Sequence, residues 1–214
     1  MRIAIDIQGM QTESRFRGIG RYIGSLLDAF SIVNKEHEVF LVVNASFPES
    51  VMELRDRFSH KNLNFHVVQW HSSGTADHHT AEADVTSAVS CSLFLAFIDE
   101  LNPDIFLCGS IFEGYLNTAI TAVPKRENRN YRYAAIVYDL IPFRMSSVYL
   151  QDENYAAFYR KKLAEIQNLD LCLTISEFSE SDIVDSKLSG DSKVVNISAG
   201  RDACFQPLRL DANQ

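Results

Sequence analysis

The sequence predicts an α/β fold: a Rossmann-like domain with a mostly parallel sheet covered by helices on both faces. Two observations carry this expectation. Short, near-continuously apolar strands alternate with helical segments along the chain, and such strands belong to sheets buried on both sides. The length of 214 residues suits one large α/β domain, with no internal repeat or dividing linker.

The elements follow in order. Residues 3–7 form an apolar strand. Residues 19–33 form the clearest helix, because Ile19, Tyr22, Ile23, Leu26, Leu27, Phe30 and Val33 recur on one face. A second strand spans 39–43, and a helix spans 48–58 with Pro48 tolerated in its first turn. A third strand covers 65–68, and the polar stretch 71–83 reads as a long mobile loop. A helix over 84–101 stops at Asn102-Pro103, since proline cannot continue the hydrogen-bond ladder. A fourth strand spans 104–108, a short helix 115–122, a basic surface loop 125–132 and a fifth strand 133–138. Tyr155, Phe158, Tyr159, Leu163 and Ile166 share a face of a helix over 155–166. A sixth strand covers 170–174, Ser176 caps the following helix, and a seventh strand covers 193–197.

Composition excludes several classes. Hydrophobic residues at 46% supply enough apolar surface to offset the ordering of the chain, which argues against disorder. A net charge of −8 argues against a nucleic-acid partner. No run of 18 apolar residues suggests a membrane span, and the opening residues read as a buried strand rather than a signal peptide, so a cytoplasmic location is expected. Cys91, Cys108, Cys172 and Cys204 show no CxxC pair or zinc spacing and read as buried thiols. His71, His78 and His79 share a loop with Asp77, Glu82 and Asp84, but without ligand spacing no metal site is expected.

In a parallel sheet, ligands bind outside the carboxyl ends of the strands. Four segments fall there. In the first, Gly18 and Gly20 open the best helix beside Arg15, Arg17 and Arg21. Glycine lets a ligand approach the backbone, and the helix N-terminus offers free N–H groups, so the segment suits a diphosphate; a tight turn with exposed arginines is the plainer alternative. The second, Tyr138-Asp139-Leu140-Ile141, ends the fifth strand, where Asp139 serves either a substrate or its own turn. The third places Glu113 between Phe112 and Gly114, as a ligand for sugar hydroxyls or as a solvated loop carboxylate. In the fourth, Ser176 caps a helix whose N-terminus is also an anion site.

These segments, in this order, resemble the N-terminal half of retaining GT-B glycosyltransferases of family GT4, nearest to bacterial mannosyl- and rhamnosyltransferases of O-antigen and other surface polysaccharides. The matching stretches are IDIQGMQTESRFRGIGRY (5–22), NPDIFLCGSIFEG (102–114), YDLIPF (138–143), YRKKL (159–163), LTISEFS (173–179) and VVNISAGRDACFQP (194–207). The resemblance implies an active site in a cleft between two Rossmann-like domains, the N-terminal one holding the acceptor and the other the nucleotide sugar. It assigns Gly18, Gly20 and Arg21 to the donor diphosphate, Asp139 to catalysis, and Tyr138, Glu113 and Ser176 to the acceptor or sugar. Tyr138 stands where many members of the family carry histidine.

The implied partners are a nucleotide sugar such as GDP-mannose, a glycan or lipid-linked acceptor and a C-terminal GT-B domain, with no metal or other cofactor. By the same resemblance, residues 1–207 form the acceptor-side domain and 208–214 begin an interdomain linker. The donor domain is absent, and the isolated chain is expected to be inactive. Peripheral contact with the inner face of the cell membrane is implied by family, with Lys125, Arg126, Arg129 and Arg132 as the basic face, or else as a solvated loop. A non-catalytic module that holds a glycan or a partner is the competing reading. A Rossmann oxidoreductase is disfavoured, because Gly18 lies too far beyond the first strand.

Overall fold

The computed structural model describes residues 1–72 and 81–200, the side chains of 81–84 excepted. Asp77, His78, His79, Cys204, the 208–214 linker and the side chains of Glu82 and Asp84 therefore lie outside the described residues. The described residues form seven strands: β1 (Arg2–Asp6), β2 (Glu38–Asn44), β3 (Phe65–Trp70), β4 (Ile105–Cys108), β5 (Arg132–Val137), β6 (Leu171–Thr174) and β7 (Lys193–Asn196). They form one sheet in the order β3-β2-β1-β4-β5-β6-β7, and every pairing is parallel. The chain builds outward from β1 in one direction and then crosses to β4 on its other side. The switch point, where an open α/β sheet forms its crevice, thus lies between β1 and β4.

Helices follow the strands: α1 (Gly18–Val33), α2 (Pro48–Phe58), α3 (Ala81–Leu101), α4 (Ile141–Arg144), α5 (Ser146–Tyr149), α6 (Glu153–Ile166) and α7 (Glu177–Asp185). Alternate residues of the strands supply two cores. On one face Ile5, Val39, Leu41 and Val43 pack with Ile23 and Leu27 of α1 and with Val51, Leu54 and Phe58 of α2. On the other, Ala4, Phe40, Val42 and Phe106 pack with Phe94 and Ile98 of α3, Tyr159 and Leu163 of α6 and Ile183 of α7. Among the described residues, cover on the first face stops beside α1. There Ile3, Ile105, Leu107, Leu171, Leu173 and Ile197 line an apolar groove of about 500 Å³.

Several sequence expectations need correction. Helix α3 begins at Ala81, inside the stretch read as a loop, because Ala-Glu-Ala is good helix sequence. Residues 115–122 are not helical. Their backbone is claimed by side chains instead: Asn117 accepts from the Ala119 amide, Gln8 accepts from the Ile120 amide, and Asn44 donates to the Thr118 carbonyl. Gly114 makes the turn into this segment at φ +103°, and a Cβ there would lie 2.4 Å from the Ala119 carbonyl oxygen.

The basic run is not simply a surface loop. Asp170, just before β6, accepts from Arg129, Arg132 and the Tyr133 amide, with Arg126 Nε 3.9 Å away. The Arg129 side chain is only 2% exposed. Partial burial pushes the Asp170 carboxyl up, but the arginine and amide hydrogen bonds outweigh it and hold the group below its ordinary range. This network sits at the amino-terminal edge of the sheet, opposite the crevice.

Candidate functional site

The loops that leave β1, β2 and β4 meet over the carboxyl edge of the sheet. Between them lies a cleft of about 800 Å³, walled by Thr12, Arg15 and Arg17 on one side, Phe47 and Ser50 on another, and Tyr115 and Asn117 on the third. The floor beneath is a buried polar network that begins at the last residue of β1. Asp6 is 1% exposed, and its Oδ1 accepts from both the backbone and the side-chain nitrogen of Gln8. The Gln8 amide also donates to the Ile120 carbonyl and accepts from Asn44. Gln11 donates to the Asn44 carbonyl and to Ser50, and accepts from the Asn44 amide. These bonds stitch the three loops together and satisfy groups that would otherwise be buried unpaired. Burial pushes the Asp6 carboxyl up to about 7, even though the Gln8 bonds lower it; nearby Glu113 adds to the rise.

Glu113 is not offered to solvent. It is 7% exposed. Its Oε2 accepts from the Thr12 hydroxyl at 2.7 Å, and its Oε1 accepts from Ser14 at 2.7 Å and Ser110 at 3.1 Å. The solvated-carboxylate reading gives way to a buried group that bridges the β1 and β4 loops.

The two glycines divide. Among the described residues a Cβ on Gly18 meets nothing within 4 Å, and the residue is exposed. A Cβ on Gly20 would lie 2.5 Å from Arg15 Cα and 2.7 Å from the Ser14 carbonyl oxygen. The space that glycine leaves at position 20 is thus filled by the chain's own 3-10 turn, Glu13–Phe16, rather than left for a phosphate. Helix α1 has no side-chain cap hydrogen bond at Arg17. Arg21 faces a second groove between α1 and α2, lined also by Glu49, Glu53 and Arg57, on the side away from β5.

Tyr138 and Ser176 come together at the ends of β5 and β6. The Tyr138 hydroxyl donates to the Gly109 carbonyl at 3.0 Å, and its ring meets Tyr22 of α1 edge to face. Burial pushes that hydroxyl far above its ordinary pKa, so it stays a donor. Ser176 accepts from the Ser179 amide as the N-cap of α7, and Ser179 in turn donates to the Tyr138 carbonyl. Asp139 stays exposed, and its Oδ1 accepts the Ile141 amide at 2.9 Å. It therefore shapes its own turn into α4, and the structure does not bring it to Arg21 or Glu113.

Sequence reasoning missed Asp6, Gln8, Gln11 and Asn44. Their signal was faint: polar residues placed where apolar strands end. Among the described residues, no group of three or more His, Cys, Asp or Glu side chains is arranged to hold a metal. Among the same residues, no helix is long and apolar enough to cross a membrane.

No family profile matches the sequence. Over 205 residues, 93% of the chain, it is 30% identical to a serotype-specific mannosyltransferase, WbdA, of Escherichia coli. The chain is related to one segment of WbdA. A second WbdA sequence from Escherichia coli is 27% identical over 170 residues, 77% of the chain. The aligned regions make up 24% and 20% of these two WbdA proteins, so the chain spans about a quarter of the length of the curated relatives it matches. Among solved structures, Arabidopsis thaliana UGT89C1 complexed with UDP aligns at a TM-score of 0.49 and 12% identity, over 92% of this chain and 48% of that one.

Proposed function

We propose that this chain is the acceptor-side domain of a retaining hexosyltransferase of GT4 type and GT-B fold. It passes mannose, or failing that rhamnose, from a nucleotide sugar such as GDP-mannose to a growing surface polysaccharide. The observation that carries this reading is the similarity to WbdA, which runs through nearly the whole chain rather than a single motif. The geometry agrees with it. A roomy cleft at the switch point, lined by hydroxyl, amide, guanidinium and aromatic groups, suits a glycan acceptor.

In this reading residues 1–207 hold the acceptor and 208–214 lead towards a donor-binding domain. The open backbone at Gly18 faces the donor diphosphate, and no metal is needed, because helix N-termini and basic groups offset the leaving charge. Asp139 and Tyr138 border the transfer site at the end of β5. Contact with a lipid-linked acceptor brings the domain to the inner face of the membrane.

The test is transfer of radiolabelled mannose from GDP-mannose to a mannose-terminated oligosaccharide. It compares this chain alone with this chain joined to the remainder of a WbdA relative. Transfer only by the joined protein, with retained anomeric configuration and no loss in EDTA, is the expected result. Oligosaccharide binding without transfer in the joined protein would overturn the enzyme reading in favour of a glycan-binding module.

A further inference from the structure

The Glu113 carboxylate is buried, and three neutral hydroxyls donate to it. A buried carboxylate is costly unless its oxygens are well satisfied, and these donors lie in two loops far apart in sequence. Thr12 is the central one. Its hydroxyl donates to Glu113 and accepts from the Ser14 amide, capping the 3-10 turn Glu13–Phe16. That turn carries Arg15 and is followed by Arg17, and both line the cleft. The same turn packs against Gly20 with no room to spare. On the other side, the Glu113 carbonyl accepts from Thr121, which also donates to the Ile111 carbonyl, so the anchor on the β4 side is itself tied down.

We propose that Glu113 is a positioning residue of the cleft: it touches no glycan but holds the wall formed by residues 12–17 against the β4 edge. This deepens the acceptor reading and rests on it. Charge-assisted hydrogen bonds to a carboxylate are about twice as strong as neutral ones, which explains an acid here where an amide would fit. A glutamine would keep one acceptor and the shape, so it preserves part of the function; an alanine preserves none.

The test uses two readouts on the purified chain. The first is amide hydrogen exchange over residues 12–17. Glu113→Ala speeds exchange there relative to wild type, Thr12→Val with Ser14→Ala does the same, and Glu113→Gln lies between. Exchange in Glu113→Ala that equals wild type overturns the strut. The second is titration with mannotetraose. Glu113→Ala is expected to weaken binding roughly tenfold, the equivalent of one lost charge-assisted hydrogen bond. Combined with Thr12→Val and Ser14→Ala, it weakens binding no further, because the three act as one unit. A loss on adding Glu113→Ala to the Thr12→Val, Ser14→Ala background means that Glu113 contacts the glycan directly, and the positioning role is overturned. Wild-type protein that ignores mannotetraose overturns the acceptor reading and leaves the exchange result to decide the strut. Should Glu113→Ala fail to fold, Glu113→Gln and Thr12→Val carry both readouts.

Discussion

The rings of Tyr22 and Tyr138 meet edge to face, with centroids 5.6 Å apart and planes at 89°. Tyr22 comes from α1 and Tyr138 from the end of β5, so the contact spans the crevice side of the sheet. Both hydroxyls are used as well: Tyr22 donates to the Ser198 carbonyl and Tyr138 to the Gly109 carbonyl. Four segments of the carboxyl edge are thereby joined through two side chains. A double-mutant cycle with Tyr22→Leu and Tyr138→Leu should give a coupling energy of about 1 kcal/mol. Urea denaturation of the four proteins measures it, and additive losses would show that the pair is adjacent without interacting.

Gly18 and Gly20 look alike in sequence and are opposite in structure. Ala at 20 drives a methyl into the backbone of the 3-10 turn, where nothing flexible can yield. Gly20→Ala should lower stability by about 2–3 kcal/mol. Ala at 18 meets open space and should leave stability unchanged or raise it by up to about 1 kcal/mol, through better helix propensity. Thermal melts of the two variants check this, and equal losses from both would contradict the packing described here.

Asp6 gives a pH signature. Its folded pKa of about 7 lies above the ordinary 3.8, so between these values the folded chain keeps a proton that the unfolded chain releases. Stability from this group is fully present below about pH 4 and falls as pH rises towards 7, by roughly 4 kcal/mol at most. Asp6→Asn holds the shape of the neutral acid without its titration. The variant should flatten the fall in stability between pH 5 and 8 and be the more stable protein at pH 8. Urea midpoints across that range decide, and parallel pH profiles for the two proteins would refute the assignment.

Periodicity made the fold legible. The face that begins at Ile19 specified α1, and short apolar runs specified a parallel sheet, because these patterns are local. The site was only partly legible, because its contacts are not. Glu113 sits in a Phe-Glu-Gly sequence that looks like any exposed loop, yet its partners Thr12 and Ser14 lie 101 and 99 residues away. Gly20 was recognisable as special, but what it makes room for is the chain itself rather than a ligand. Asp139 shows the reverse: the turn its sequence suggests is the turn it makes. Arg129 looked like solvated charge, and the counter-charge that meets it, Asp170, lies 41 residues on, just before β6.

That Arg129–Asp170 pair supplies the last prediction. The guanidinium is buried and also donates to the Tyr131 and Asn168 carbonyls, so it is held in place whether or not its counter-charge remains. Asp170→Asn leaves the positive charge in a site that cannot rehydrate it, and should cost about 3 kcal/mol. Arg132→Ala, which removes an arginine 79% exposed at its side chain, should cost well under 1 kcal/mol. The depressed Asp170 carboxyl contributes stability that is present above the unfolded value near 3.8 and is lost as pH falls through the folded value. Wild type should therefore lose its advantage over Asp170→Asn as the pH falls below 4. Denaturation at pH 7 and pH 3 measures both effects, and a gap that stays the same at the two pH values would show that the pair is not what holds this edge of the sheet.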